Sequence, residues 1–336
     1  MPLISVQDLR VYFHTEYGIV RAVDGVSYSI DRKTTLGIVG ESGCGKSVTA
    51  LSIMGLVPSP PGRLECGSVL YQRDKGTVDL ARLSPRGKQM RSIRGNDIAM
   101  IFQEPMTSLN PVHTVGHQIA EAITLHQQIS KKRAMSYTIE MLRSVGIPLP
   151  EQRADEYPHQ LSGGMRQRAM IAMALSCSPS LLIADEPTTA LDVTIQAQVL
   201  ELMKGLQNDY EAAIQFITHD LGVIAGMAHN VVVMYLGRIV ESASVEDLYR
   251  SPKHPYTQGL MNSIPSLASR KQQLDPIEGA VPSPFALLPG CGFEPRCPHA
   301  MEVCRRDCPE LKDAEPGHAV ACWLCEKEEG DASVPA

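Results

Sequence analysis

The residues from Gly40 to Ser47 have the types and the spacing of a loop that binds phosphate groups. Glycines allow backbone N–H groups to turn inward around phosphate oxygens, and the N-terminus of a following helix adds partial positive charge. We expect Lys46 to reach the β- and γ-phosphates of a nucleotide and Ser47 to ligate Mg²⁺. A chance glycine turn is disfavoured because an apolar strand pattern precedes the loop and a helical pattern follows it. The predicted loop consists of Gly40, Glu41, Ser42, Gly43, Cys44, Gly45, Lys46 and Ser47.

An acidic pair, Asp185 and Glu186, follows the apolar run Leu181–Ala184. A carboxylate at the end of a buried strand suits a hard cation held mostly through water, so Asp185 is a predicted Mg²⁺ ligand. Adjacent strand residues point to opposite faces, so the strand must end here if both carboxylates are to face one nucleotide. We predict that Glu186 is the general base that polarises the attacking water. A solvated strand end is the alternative, which the phosphate loop in the same chain makes the weaker interpretation.

Two polar residues, Gln103 and His219, also come directly after predicted strands. In a doubly wound sheet, ligands bind beyond the carboxyl ends of the strands, where both side chains would lie. Gln103 is expected to contact Mg²⁺ and the attacking water, and His219 to hydrogen-bond the γ-phosphate. Most histidines in a chain are ordinary surface or core residues, so residue type alone would not identify His219. It is chosen because it lies at the end of a predicted strand.

The segment LSGGMRQR, from Leu161 to Arg168, has no evident role in a self-contained nucleotide pocket. Ser162 is suited to cap a helix, and Gly163 and Gly164 permit close approach of a ligand to backbone N–H groups. The start of that helix is a second anion site, whereas an ordinary cap would not require two glycines. The chain then has two phosphate-directed loops but one set of metal-binding acids. A head-to-tail dimer resolves this, with each nucleotide between one subunit's phosphate loop and the other's helix start.

The elements that must position these residues alternate between strands and helices, which predicts an α/β fold with a mainly parallel sheet. Residues 1–30 have the alternation of a small antiparallel sheet, as in Val26–Ile30, and Thr35–Val39 is a buried strand. Apolar spacing predicts a helical insert from 111 to about 144, with one buried face. That face is formed by Val112, Val115, Ile119 and Ile123. Further helices are expected at 47–56, 165–177 and 192–208, strands at 98–102 and 214–218, and a hairpin at 231–241.

The length of 336 residues suggests about two domains at roughly 150 residues each. The composition, 43% hydrophobic with a net charge of −6, permits a sizeable core and disfavours a nucleic-acid partner. No run reaches the about 18 apolar residues that span a bilayer, and no signal peptide is evident, which predicts a soluble cytosolic chain. We expect a nucleotide-binding domain at 1–260, with a helical subdomain at about 104–178. A cysteine-rich domain at 261–325 and a disordered tail at 326–336 would follow.

Taken in order, these motifs resemble the ATP-binding-cassette (ABC) ATPases over about residues 1–250. The resemblance implies ATP and Mg²⁺ as ligands and a dimer that closes on ATP and reopens on hydrolysis. By the same resemblance, Asp192 in the sequence ALD lies in the loop that crosses the dimer interface. Phe13 matches the aromatic residue that stacks on adenine, with Tyr12 and Tyr17 as nearby rivals.

A narrower resemblance links the chain to the ATPase subunits of dipeptide and oligopeptide importers, a group that includes nickel importers. It implies two membrane permeases, an extracytoplasmic solute-binding protein and a second ATPase subunit, identical or homologous. It also implies a peripheral location on the cytoplasmic face of the cell membrane. The matching segments are QEPMTSLNP at 103–111, YPHQLSGGMRQR at 157–168, HPYT at 254–257 and CGFEPRCPHAMEVC at 291–304.

Six cysteines crowd into the C-terminal region, where a reducing cytosol favours metal binding over disulfides. The resemblance to the importers implies a 4Fe–4S cluster bound by four of them. A zinc site that uses Cys322 and Cys325 is an alternative, as are reduced cysteines that only pack. The four implied cluster ligands are Cys291, Cys297, Cys304 and Cys322.

Two other functions compete with transport, and a third would coexist with it. A soluble ABC protein that acts on ribosomes or nucleic acid would usually add a coiled coil or a second ATPase unit, which the sequence lacks. A kinase built on a phosphate loop would leave LSGGMRQR unexplained. A redox sensor in which the tail controls the ATPase is compatible with transport.

Overall fold

The computed structural model describes residues 1–74, 76–103, 108–189, 191–263, 277–286 and 288–328. The chain divides into two compact units, each built from separate stretches of sequence. The first unit comprises Met1–Leu3, Ile30–Thr35 and Gln72–Ile217. The second comprises Ile4–Ser29, Leu36–Tyr71 and Thr218–Ala336.

The strands among the described residues are numbered in chain order. They are β1 (Ile4–Thr15), β2 (Gly18–Ile30), β3 (Thr35–Val39), β4 (Gly62–Arg73), β5 (Gly76–Asp79), β6 (Ile98–Ile101), β7 (Leu181–Asp185), β8 (Ala213–Thr218), β9 (Asn230–Tyr235), β10 (Arg238–Ser244), β11 (Lys312–Glu315) and β12 (His318–Val320).

The α-helices of the same residues are numbered in the same way. They are α1 (Lys46–Ile53), α2 (Lys88–Ile93), α3 (Val115–Gln127), α4 (Lys131–Ser144), α5 (Pro150–Ala154), α6 (Gly163–Leu175), α7 (Val193–Tyr210), α8 (Leu221–Met227), α9 (Val245–Arg250), α10 (Pro255–Asn262), α11 (Glu302–Arg306) and α12 (Trp323–Glu328).

The first unit is built on three parallel strands, with β7 between β6 and β8. Its strands are apolar on both faces, as expected for parallel strands buried on both sides, and Leu182, Ile183 and Phe216 are almost fully buried. Helices α3 to α6 pack against one another in the same unit. Residues 108–178, for which the sequence predicts most of a helical subdomain, lie in this unit, and residues 104–107 lie outside the described residues.

The helical insert contains two helices where the spacing predicted one continuous face. Helix α3 ends where Gln128 adopts a left-handed conformation, and Ser130 caps α4 by accepting from the Arg133 N–H. The prediction was wrong for Val112, which precedes α3 and is 70% exposed. Val115, Ile119 and Ile123 are buried as predicted, because they share the inner face of α3.

The second unit contains an antiparallel sheet in which β1 lies between β2 and β4. It also contains a mixed sheet in which β3 pairs with β9 in parallel and β9 pairs with β10 antiparallel. Two strands that the sequence did not predict, β11 and β12, extend that sheet beyond β10. The C-terminal region is thereby joined to the strands that carry the glycine loop.

Most predicted element boundaries lie within a few residues of those observed, and β3 agrees at both ends. The sequence also failed to predict β4, whose start at Gly62 follows a proline-rich stretch. No helix in the described parts of the chain is both long and apolar enough to cross a membrane.

Candidate functional site

The glycine loop lies between the end of β3 and the start of α1, with Lys46 as the first residue of the helix. Lys46 is buried, and its Nζ donates to the carbonyl oxygens of Gly40 at 2.7 Å and Glu41 at 2.9 Å. The loop therefore curls around its own lysine, with the ammonium group held against its backbone. Ser47 follows on the first turn of α1.

Two glycines of the loop fit only because they lack a side chain. A Cβ on Gly40 would lie 2.2 Å from the Met234 carbonyl oxygen, and one on Gly45 would lie 2.1 Å from the Ala22 carbonyl oxygen. Both residues also have positive φ, of 153° and 101°. The loop is further tied to the β9–β10 turn, since the Gly237 N–H donates to the Cys44 carbonyl. Its shape is thus set by packing and backbone strain that glycine alone tolerates.

Cys44 is buried in this loop, with its sulfur 3.8 Å from Lys46 Nζ. Loss of hydration on burial raises the pKa of the Cys44 thiol, although Lys46 opposes this shift. The thiol is therefore neutral near pH 7 and poorly nucleophilic, and Cys44 serves as a small packing residue.

Among the three aromatic candidates for adenine stacking, Tyr12 has a structural partner. Its hydroxyl donates to Asp24 at 2.7 Å, and the Arg21 guanidinium lies over its ring. Phe13 is half-buried on β1 opposite Gly62, while Tyr17 is 87% exposed. Phe13 is thus a partly exposed aromatic residue on a regular strand, which is compatible with the predicted stacking on adenine.

In the first unit, the structure brings Gln103 and Glu186 together. Gln103 Nε2 donates to Glu186 Oε2 at 3.0 Å, and the Thr189 hydroxyl donates to the same oxygen at 2.9 Å. Strand β7 ends at Asp185, which is 4% exposed, and Glu186 has a φ of 47°. A strand would direct adjacent side chains to opposite faces, so this left-handed residue is what re-aims the Glu186 carboxylate.

Ser162 caps α6, and its hydroxyl accepts from the Met165 N–H at 3.3 Å. A Cβ on Gly164 would press against Ile195 at 3.1 Å, so packing explains that glycine. A Cβ on Gly163 would meet no described atom within 4 Å, so packing does not explain why residue 163 is a glycine. An external group that approaches the helix start would account for Gly163.

The remaining two predicted site residues lie at element ends. Asp192 caps α7 by accepting from the Ile195 N–H at 2.9 Å, which gives it a structural role besides the predicted one at an interface. His219 directly follows β8 and is exposed, as expected for a residue at a carboxyl end. Ala190 of the same predicted loop lies outside the described residues.

The four cysteines singled out as cluster ligands line one cavity in the second unit. His254, Phe293 and Trp323 also contribute to its wall. Cys308 instead accepts a hydrogen bond from Arg238 at 3.2 Å. Of the six cysteines in the C-terminal region, the cavity lining thus includes the four that the family resemblance implied as ligands.

Burial raises the pKa of the Cys297 thiol, and it raises the pKa to about 11 for Cys291 and to about 12 for Cys322. Neighbouring cysteines add to the latter two shifts, because adjacent thiolates repel one another. A bound cation would reverse that penalty, so the donor type suits a thiophilic metal. Within the described ranges, no three or more His, Cys, Asp or Glu side chains are grouped so that they could hold a metal ion as they stand.

Sequence reasoning missed two residues that contact the phosphate loop. The Tyr256 hydroxyl accepts from the Glu41 N–H at 2.8 Å, and the Arg296 guanidinium pairs with the Glu41 carboxylate at 2.7 Å. Both belong to segments that the sequence marked only by resemblance, HPYT and CGFEPRC. No local periodicity connects positions so far apart in the chain.

Comparison with known families agrees with this geometry. Residues 23–189 match the family model "ABC transporter", and residues 240–304 match "Oligopeptide/dipeptide transporter, C-terminal region". The fold resembles that of the dimeric ATP-binding cassette MJ0796 bound to ADP and phosphate. That likeness has a TM-score of 0.63 at 24% identity and covers 72% of this chain and 98% of the other.

Relatives match the chain almost end to end. The protein y4tR of Sinorhizobium fredii, a probable peptide ABC transporter ATP-binding protein, is 56% identical over 96% of this chain and 94% of its own. The oligopeptide transport ATP-binding protein AppD of Bacillus subtilis is 51% identical over 98% of this chain and 99% of its own. The chain therefore belongs to the ABC transporter ATP-binding subunits of the oligopeptide and dipeptide transporter family.

Proposed function

We propose that this chain is the ATP-hydrolysing subunit that powers import of dipeptides or oligopeptides, or of a related solute such as nickel. One observation carries the proposal. The chain combines the nucleotide-binding residues of an ABC ATPase with the C-terminal region of the oligopeptide and dipeptide transporters. Full-length relatives named for peptide transport support the same class of cargo.

The proposed chemistry assigns each residue a role that its local geometry permits. Lys46 and the loop N–H groups would bind the β- and γ-phosphates, and Phe13 would stack on adenine. Glu186 would accept a proton from the attacking water, with its carboxylate oriented by Gln103 and Thr189. His219 would donate a hydrogen bond to the γ-phosphate. Ser47, Gln103 and Asp185 would hold Mg²⁺, which neutralises charge on the phosphates.

We further propose that two ATPase subunits complete each other's sites. The start of α6 presents Ser162, Gly163 and backbone N–H groups as an anion site, and Asp192 would lie at the subunit contact. The γ-phosphate would favour the closed dimer and hydrolysis the open one. The helical subdomain would transmit that movement to the permeases.

The proposed assembly includes two transmembrane permeases, a second identical or homologous ATPase and an extracytoplasmic solute-binding protein. The chain would be bound peripherally to the permeases at the cytoplasmic face of the cell membrane. No nucleic acid is expected as a partner.

The assay for this function is peptide uptake by vesicles that contain the co-purified permeases and ATPase subunits. Uptake of a labelled dipeptide should require ATP on the membrane face that carries the ATPase subunits. It should also require the binding protein on the opposite face. Co-purification with ribosomes and ATP turnover without any permease association would instead support a soluble ABC protein.

For the C-terminal region we propose a 4Fe–4S cluster held by the four cavity cysteines, with Zn²⁺ as the alternative metal. Support comes from the shared cavity, the thiolate donor set and the family resemblance. Within the fold such a group would crosslink α11, which carries Cys304, to the irregular segments that carry Cys291, Cys297 and Cys322.

Anaerobically purified protein is expected to contain about four irons per chain and to show the visible absorption of a cysteine-bound iron–sulfur cluster. Cys304→Ser should remove most of the iron, because Cys304 lines the cavity. Cys66→Ser is the matched control, since Cys66 is exposed on β4. One equivalent of zinc without iron would favour the alternative metal. Protein that contains neither iron nor zinc would indicate that the cysteines only pack.

A further inference from the structure

The C-terminal region reaches the phosphate loop at one residue, Glu41. Arg296 donates through both terminal nitrogens to the two Glu41 carboxylate oxygens, at 2.7 and 3.1 Å. The Tyr256 hydroxyl accepts from the Glu41 backbone N–H at 2.8 Å. Side chain and backbone of Glu41 are thus both held by residues more than 200 positions away in the chain.

Arg296 is held rigidly by its surroundings. Its side chain is only 4% exposed, and its Nε donates to the Glu278 carbonyl at 3.2 Å. Its guanidinium carbon lies 5.9 Å from the ring centres of both Tyr235 and Phe293. An arginine guanidinium is not deprotonated in proteins, so the group is positively charged. A bidentate pair in this setting fixes position as well as charge.

Tyr256 is equally fixed, and the segment HPYT explains how. His254 caps α10, and its Nδ1 accepts from the Tyr256 N–H at 3.0 Å. Burial lowers the pKa of His254 to about 4, so the ring is neutral and its Nδ1 is able to accept. The Tyr256 ring is fully buried, with its centre 4.7 Å from that of Tyr235. The hydroxyl is therefore aimed at Glu41 by packing.

Glu41 is an unfavourable residue in a loop that binds a polyanion, because its carboxylate repels the nucleotide phosphates. Arg296 neutralises that charge. Lys46 Nζ donates to the Glu41 carbonyl oxygen, so a shift of the Glu41 backbone would also move the lysine ammonium group. We propose that Arg296 is a positioning residue through which the C-terminal region sets the affinity of the phosphate loop for ATP. This inference rests on the proposed ATPase function.

A double-mutant cycle between Arg296 and Glu41 tests the inference in the full-length protein, with a methylanthraniloyl-labelled ATP as the probe. Arg296→Met keeps much of the side-chain volume and leaves the Glu41 charge unpaired. This variant is expected to raise the Kd for the labelled ATP about tenfold, because the loss of one charge-assisted contact has an effect of about that size. In the Glu41→Gln background, the same Arg296→Met change should alter Kd by less than about threefold, because no charge is left to neutralise.

Arg305→Met is the matched control on the same tail, since Arg305 forms an exposed pair with Glu294 and should leave Kd unchanged. Tyr256→Phe, which removes the acceptor for the Glu41 N–H, should raise Kd severalfold without a change in charge. An equal loss of affinity from Arg296→Met in both backgrounds would overturn the inference and indicate a general structural role. No loss in either background would overturn it as well. A wild-type chain that binds no ATP would refute the proposed function itself.

Discussion

Replacement of Glu186 by glutamine is expected to preserve ATP binding and to lower hydrolysis by about a thousandfold, within the usual range for a general base. Glutamine has nearly the same shape and retains an oxygen that accepts from Gln103 and Thr189, which now donate to Glu186 Oε2. It has no basic carboxylate to accept the proton from water. The loss should therefore appear in kcat, while the Kd for ATP remains near the wild-type value.

The measurement is phosphate release at saturating ATP, together with calorimetric titration of ATP binding. Glu201→Gln provides the control, because Glu201 is an exposed carboxylate on α7 that pairs only with the neighbouring Lys204 among the described contacts. Its rate should match that of the wild type. Turnover of the Glu186→Gln variant at the wild-type rate would refute the base assignment and leave another group to activate the water.

Replacement of Lys46 by alanine is expected to weaken ATP binding by about a hundredfold, which corresponds to roughly 3 kcal/mol. Lys46 is buried at the start of α1, and its Nζ already lies against the loop carbonyls of Gly40 and Glu41. From that position the ammonium group would bind the β- and γ-phosphates with little rearrangement of the side chain. Alanine removes both the charge and the hydrogen-bond donors.

Calorimetry of ATP binding checks this prediction, with thermal unfolding of each variant to separate binding from stability. Lys33→Ala is the matched control, because Lys33 is 60% exposed and its ion pair with Glu211 is a surface contact of small energetic value. The control should bind ATP as the wild type does. An unchanged ATP affinity in folded Lys46→Ala protein would contradict the assignment of the loop.

The parts of the fold that sequence predicted well are those encoded by short-range patterns. The buried strand β3 is a run of apolar residues between turn-forming segments, and both its ends agree with the prediction. Gln103 and Glu186 could be placed at strand ends for the same reason, and the structure brings their side chains into contact. The end of β7 at Asp185 agrees with the requirement that the strand stop where two adjacent carboxylates are to face one ligand, whereas the left-handed conformation of Glu186 was not predicted.

The parts that sequence missed depend on long-range contacts. Strand β12 pairs with β10 across about eighty positions, so its three residues give little local signal. The contacts of Tyr256 and Arg296 with Glu41 join segments separated by 215 and 255 positions. Val112 matched the helical spacing, but the cap at Thr114 starts α3 after it. Periodicity identifies elements, whereas the contacts between distant elements require the structure.

We propose that two ATPase subunits form each complete hydrolytic site, so single chains and paired subunits should differ in specific activity once they are separated. Sedimentation or light scattering would resolve single chains from paired ATPase subunits, with phosphate release measured on each fraction. Hydrolysis should follow the paired subunits and disappear in the single chain. A single chain that hydrolyses ATP at the rate of the paired subunits would contradict this proposal.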